Sequence, residues 1–383
     1  MNTELMYEAA RPAKKIGKEV FFLESKTGNP RNGESSLIRL KNGDILHMYS
    51  SFCSGDDWSD KSTSRICGIL SHDEGESWSE PFVVFDIPEG FTDLMCASLL
   101  RLRDGDIAVT YLGRIANSRA KQMFFARSKD EGKTWDTSTV FDEEDSTLFF
   151  HCGQNDRLVE TSTGRLVYPT EYVPTAALDD PSARDEFFLT VHYSDDGGRT
   201  WTNIKEKIAV PFIRTTYGLQ EPGIIELPDG RLRMWARTGL GCQYETYSSD
   251  MGLTWSPATP MEFFKSPLSP MMMKRAGDMV VAVYNPEPFH VINEKPLVYL
   301  KKNVGLFFDR TPIVISVSDN DGYDFTRTYL LEDDPYSIYC YPAVLDCGDY
   351  ILVSYYHSNR TENFFHSMKT VKIMKEELKS APF

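Results

Sequence analysis

The side chains of this 383-residue chain that could act chemically are carboxylates, arginines and tyrosines gathered beside turns. Glu221 stands in LQEPGIIELPDG, and Arg237 follows it by sixteen residues. Arg310 lies in DRTPIVISVSD, and SIYCYPAVL carries Tyr339 and Tyr341, with Tyr336 just ahead. The acidic loop GDDWSDKSTSR offers Asp56, Asp57 and Asp60, while RNGE sets Arg31 close to Glu34. FHCGQNDRLVE adds His151, Asn155, Asp156 and Arg157, and GLGCQYETYS adds Gln243, Tyr244 and Glu245. Guanidinium groups bind anions while carboxyl and phenol groups move protons, so such a set needs no metal or other cofactor. Each has a plainer reading too: a solvated loop, a satisfied structural histidine, a local turn network, an ordinary strand. Met271, Met272 and Met273 read as core or pocket wall.

Other chemistries are missing their signatures. Seven cysteines are scattered without a CxxC pair or a histidine at zinc-like spacing, and read as reduced, mostly buried thiols. No glycine-rich phosphate loop or nucleophile elbow is present. A net charge of −15 speaks against a nucleic-acid partner, since phosphate binding rests on clustered lysine and arginine. No run approaches the roughly 20 apolar residues needed to span a bilayer, so no membrane partner is expected. The opening MNTELMYEAARPAKKIGKEV has no apolar signal core, which leads us to expect a cytoplasmic protein. At 41% hydrophobic and 13% aromatic residues, the chain can bury a sizeable core.

The elements that must position these residues repeat along the chain. One repeat is S-x-D-x-G-x-x-W, at Ser71 to Trp78, Ser128 to Trp135, Ser194 to Trp201 and Ser248 to Trp255. A fifth copy, Ser318 to Phe325, keeps Ser318 and Gly322 but has Asn320 and Phe325 for Asp and Trp. Ser and Asp can hold neighbouring backbone N–H groups and Gly takes a positive φ, so each copy is a turn. Its Trp would pack onto a sheet and contribute about 2–3 kcal/mol if buried. The other repeat is a strand, a glycine turn and a returning strand, centred on Gly43, Gly105, Gly164, Gly230, Gly277 and Gly348. Six such hairpins predict six sheets, and the strand VFFLE near residue 20 is placed to supply the missing edge of the last one. The reading is an all-β fold, a single six-bladed β-propeller over residues 1–383, with a pocket at the hairpin face.

These repeats, known as Asp boxes, resemble those of the sialidase (neuraminidase) superfamily, most closely its bacterial members with BNR-type repeats, over nearly the whole chain. The resemblance implies a central site: three arginines hold a substrate carboxylate, an aspartate is acid/base, and a tyrosine activated by a glutamate is the nucleophile. A neutral phenol meets less repulsion than a carboxylate at an anomeric carbon that bears an anionic group, but its pKa near 10 demands a base. The family pattern puts the base at Glu221, two arginines at Arg237 and Arg310, the nucleophile at Tyr341 and the acid/base at Asp60.

Two departures accompany these matches. The family's first arginine falls at Gly33, leaving Arg31 two residues upstream to reach the pocket. Its orienting glutamate falls in VSYYH, so the carboxylate clamp is remodelled. Glu34, His151, Asn155 and Arg157 sit at blade edges equivalent to that of Glu221, and Tyr244 follows Arg237; all are candidate substrate contacts. The expected function is an exo-acting glycoside hydrolase on an acidic or modified sugar. The alternatives are a non-catalytic carbohydrate-binding propeller and a neutral-sugar hydrolase or lyase on the same fold.

Overall fold

In a computed structural model, residues 13–141, 148–175, 187–211, 217–286, 310–334, 336–359 and 365–381 are described. Among them, six antiparallel sheets follow one another along the chain. Blade 1 holds β2 (Asn32–Arg39), β3 (Ile45–Phe52), β4 (Ser64–Ser71) and β5 (Phe82–Phe85). Blade 2 holds β6 (Phe91–Arg101), β7 (Ile107–Ile115), β8 (Lys121–Ser128) and β9 (Asp136–Thr139). In blade 3 the inner strand is split into β10 (Phe149–Cys152) and β11 (Val159–Glu160), both paired with β12 (Leu166–Pro174), ahead of β13 (Phe188–Ser194) and β14 (Thr202–Asn203). Blade 4 runs from β15 (Gln220–Glu226) through β16 (Leu232–Arg237) and β17 (Cys242–Ser248) to β18 (Thr259–Lys265). Blade 5 runs from β19 (Met272–Ala276) through β20 (Met279–Tyr284) and β21 (Ile313–Ser318) to β22 (Arg327–Glu332).

Blade 6 closes the ring. Its inner strands are β23 (Ser337–Asp346), β24 (Tyr350–Asn359) and β25 (Ser367–Met374), and its outer edge is β1 (Lys18–Leu23), from the other end of the chain. Lys18 pairs with Lys372 and Leu23 with Met368, so a strand edge that would otherwise be exposed is used up. A five-residue helix, α1 (Lys375–Lys379), follows β25. Inner strands of successive blades touch around the ring, β2 against both β6 and β23, and β15 against β19. The fold is a six-bladed β-propeller, as the hairpin count predicts.

Every glycine of the hairpin repeat lies between the first two strands of its blade, and every Asp box lies between the last two. The box turn is held locally. In the first, Gly75 N–H donates to Ser71 Oγ at 2.8 Å, Ser77 N–H to Asp73 Oδ1 at 2.8 Å, and Trp78 Nε1 to Gly75 O at 3.1 Å. The degenerate fifth copy keeps this scheme, with Gly322 N–H on Ser318 Oγ at 2.9 Å and Asp324 N–H on Asn320 Oδ1 at 2.9 Å. An amide oxygen therefore does the acceptor work of the carboxylate, and buried Phe325 takes the place of the indole. Only Trp255 of the four box tryptophans is buried; Trp78, Trp135 and Trp201 are half-buried.

Chain direction puts hairpins and boxes at one end of the propeller and the starts of the inner strands at the other. Glu221 is at the start of β15, whereas Gly230 lies beyond its end. The expectation of a pocket at the hairpin face is corrected here, because a strand of seven residues separates the glycine turn from Glu221.

Candidate functional site

A cavity of about 630 Å3 opens at the end of the propeller away from the boxes. Local backbone aims residues into it. Inner strands β2, β6, β15 and β23 each carry a register shift, early in β2 and β15 and at the middle of β6 and β23, and within it Glu34 (φ 47°), Cys96 (φ 62°), Glu221 (φ 51°) and Tyr341 (φ 54°) adopt left-handed backbone. A bulge of this kind turns one side chain out of the alternating pattern, and here all four line the cavity. Left-handed backbone at a non-glycine residue costs roughly 1–3 kcal/mol, a strain that the surrounding sheets must sustain.

On the side of blades 4 to 6, Tyr341 Oη donates to Glu221 Oε1 at 2.7 Å, and Arg237 Nη1 pairs with Glu221 Oε2 at 2.7 Å. Gln154 Nε2 also donates to Glu221 Oε1, at 3.0 Å. Both oxygens of the Glu221 carboxylate are thereby engaged. Burial and the adjacent Glu221 carboxylate push the Tyr341 phenol well above its ordinary value, with Arg237 and Arg310 acting against them. The Arg310 guanidinium stands 5.5 Å from the Tyr341 ring centroid and donates to Leu268 O at 3.1 Å. The phenol thus stays neutral until a neighbour takes its proton, and the nearest acceptor is Glu221.

On the side of blades 1 to 3, Arg31 is held by four acceptors. It donates to Tyr356 Oη at 2.8 Å, to Asp60 Oδ1 at 2.6 Å, to Trp58 O at 3.2 Å and to Glu34 Oε1. The Asp60 side chain is 71% exposed at the cavity mouth. Desolvation near the cavity opposes its ionisation, yet Arg31 and then Lys121 hold its carboxyl down to about 2. Glu171, on β12, accepts from Glu221 N–H at 2.8 Å. Burial and then the Glu221 carboxylate push its own carboxyl up to about 8, against Arg237.

Tyr356 is the first tyrosine's neighbour in VSYYH, and its ring explains Gly33. A Cβ at Gly33 (φ 151°) would stand 2.3 Å from Tyr356 Cε1, so the tyrosine fills the room a side chain at 33 would need. The two departures seen in the sequence are one substitution in space: the tyrosine occupies the site, and Arg31 reaches its hydroxyl from outside the strand.

The profile of the BNR repeat-like domain family matches residues 115–353, more than half of the chain. The chain belongs to the BNR repeat-like family. Among curated proteins, this family member is 31% identical over 140 residues to the anhydrosialidase of Macrobdella decora, a stretch that covers 35% of this chain and only 16% of that protein. Among solved structures, a Dyadobacter fermentans protein of unknown function superposes with a TM-score of 0.69 at 20% identity, covering 95% of this chain and 100% of that one. The NanB sialidase of Streptococcus pneumoniae superposes at 0.67 with 14% identity, covering 97% of this chain and 73% of that one. The sialidase-superfamily resemblance of the sequence is borne out, and the fold of this BNR repeat-like protein is that of the sialidase propellers.

Of the candidate residues, Arg31, Glu34, Asp60, Glu221, Arg237, Arg310 and Tyr341 line the one cavity. The other four do not reach it. His151 is 2% exposed and packs among Phe141, Phe149, Tyr172 and His192. The pleat of β10 sends Phe150 and Cys152 to the cavity and the residue between them to the opposite face. Asn155 donates to Ser35 O at 2.8 Å and to Pro342 O at 3.4 Å, which ties blades 1, 3 and 6 together. Arg157 donates to Met271 O at 2.7 Å and lies over Trp235, beside a separate cavity of about 250 Å3, because the inner strand has by then passed toward the other end. Tyr244 is on the third strand of its blade, away from the axis, buried with Met234 and Trp255. Met271, Met272 and Met273 are core, at 1–2% exposure.

Sequence reasoning missed Cys96, Lys121, Cys152, Gln154, Glu171 and Tyr356. For Cys96 a signal existed: it precedes Gly105 by nine residues, as Glu34 precedes Gly43 and Glu221 precedes Gly230. Lys121, Cys152, Glu171 and Tyr356 sit on strands whose sequence does not distinguish the cavity from the core, and Gln154 lies between β10 and β11.

Proposed function

We propose that this protein is an exo-acting retaining glycoside hydrolase for an acidic sugar, with Tyr341 as nucleophile, Glu221 as its base and Asp60 as acid/base. The observation that carries it is the 2.7 Å hydrogen bond from Tyr341 Oη to Glu221 Oε1, inside a cavity that also holds Arg237 and Arg310. In the first step Tyr341 Oη bonds to the anomeric carbon as the bond to the leaving oxygen breaks. The phenol proton goes to Glu221, and the leaving oxygen takes a proton from Asp60. In the second, water attacks that carbon, gives its proton to Asp60, and the tyrosine leaves and recovers its proton from Glu221. Arg237 and Arg310 face the sugar's anionic group, and Arg31 contributes on the side of Glu34.

Asp60 sets the condition for this cycle. Paired with Arg31 it is ionised, so it becomes an acid only when the leaving group enters and the guanidinium withdraws to Glu34. The same observation favours the second reading, a carbohydrate-binding propeller that never loads its acid. A panel of chromogenic glycosides with acidic and neutral sugars separates the two. Release from an acidic glycoside, lost in Tyr341→Phe, is the expected result. Binding of the sugars without release from any glycoside would refute the hydrolase.

A further inference from the structure

Lys121, the first residue of β8, is a buried cation of the cavity wall whose partners are unlike those of its neighbours. Its side chain is 6% exposed. Its ammonium donates to Cys152 Sγ at 3.5 Å and to Met95 Sδ at 3.8 Å, and stands 5.0 Å from the centroid of Phe150. Each arginine of the cavity reaches a protein oxygen: Arg31 those of Glu34 and Asp60, Arg237 that of Glu221, Arg310 that of Leu268. Among the described residues, no carboxylate oxygen lies within 4.0 Å of Lys121 Nζ. Sulfur is a weak acceptor, so a desolvated ammonium here is held below its full hydrogen-bonding capacity.

The surrounding charge decides what could complete it. Asp60, Asp93 and Glu34 lie on this side of the cavity with Arg31, Arg114 and Lys121, so the two signs balance. A second anion gains little from such a neighbourhood, whereas a neutral oxygen gains a charge-assisted hydrogen bond at no Coulombic cost. Blade 2 also faces blade 5 across a six-bladed ring, and Arg310 leads into the third strand of blade 5.

We propose that Lys121 determines specificity by binding an uncharged oxygen acceptor of the sugar, a ring hydroxyl or an acyl carbonyl, on the edge that lies across the cavity from Arg310. This rests on the carbohydrate reading above. Lys121→Met keeps the stem packed and removes the ammonium. The ammonium also helps hold the Asp60 carboxylate ionised, so the ligand-free variant should unfold cooperatively with a Tm somewhat below that of wild type, while Lys121→Arg, which keeps the charge, should stay close to it.

Binding is then measured by calorimetry with N-acetylneuraminic acid, glucuronic acid, N-acetylglucosamine and galactose. For the sugar that binds, Lys121→Met should weaken affinity at least about tenfold. The analogue that lacks the hydroxyl or acyl group should bind wild type as weakly, with no further loss in the variant. Unchanged affinity for the parent sugar would overturn the role of Lys121 alone. A loss that persists with every analogue would make it an anion contact, which also overturns the assignment. Failure of wild type to bind any of the sugars would sink the carbohydrate reading itself.

Discussion

The two ends of the propeller are built by opposite means. Within each Asp box the hydrogen bonds that shape the turn join residues at most four apart, Ser194 to Asp196, Gly198 to Ser194, Thr200 to Asp196, and arginines of the neighbouring blade, such as Arg127 on Gly197 O, add bonds from outside. At the cavity end, the decisive bonds join residues 67, 120 and 325 apart, from Gln154 to Glu221, Tyr341 to Glu221 and Arg31 to Tyr356. The first end is a set of turns that each form from local chemistry. The second exists only when the ring is closed, and it spends backbone strain at Glu34, Cys96, Glu221 and Tyr341 to aim its side chains. The box end holds the blades, and the cavity end uses them.

Substitutions can break this contrast. Tyr341→Phe should reduce turnover of an acidic glycoside by at least about a thousandfold, as removal of a nucleophile does, with little change in Tm. A large drop in Tm would show that the cavity end also holds the ring together. At the other end, Trp255→Ala should cost about 3 kcal/mol in chemical denaturation, because this indole is the most buried of the box tryptophans. It should leave ligand affinity unchanged; a weakened affinity would mean that box packing reaches the cavity.

Glu171 sharpens the comparison through pH. Its folded carboxyl lies near 8 against an ordinary 4.5, so the folded state keeps a proton that the unfolded chain releases. Stability should therefore fall as pH rises from about 4.5 to about 8, and level off above that. Glu171→Gln keeps an acceptor for Glu221 N–H and removes the ionisation, so its denaturation curve should lack that slope. An unchanged slope would assign the titration elsewhere. The smallest effect is expected from Ser194→Ala, about 1 kcal/mol for the loss of the bond from Gly198 N–H, with activity intact.

How much of this was legible follows the same division. Boxes and hairpins could be read because their chemistry is contained in five to eight consecutive residues, and even the degenerate copy at Ser318 was recognisable. Seven of the eleven candidate site residues came from loops and strand segments that meet at the cavity. His151, Asn155, Arg157 and Tyr244 misled because sequence position does not say which face of a strand meets the axis. Lys121 and Glu171 were invisible for the converse reason, each lying in a strand whose neighbours are core.

By itself the sequence determined the number of blades, the turns within them and the closure by the strand at Lys18–Leu23, since these depend on local backbone preference and alternating apolar residues. Only the tertiary structure decided which end holds the cavity, that Tyr356 occupies the space beside Gly33, and that one carboxylate, Glu221, meets both a phenol and a guanidinium. Those outcomes depend on distances between blades, which no stretch of consecutive residues specifies.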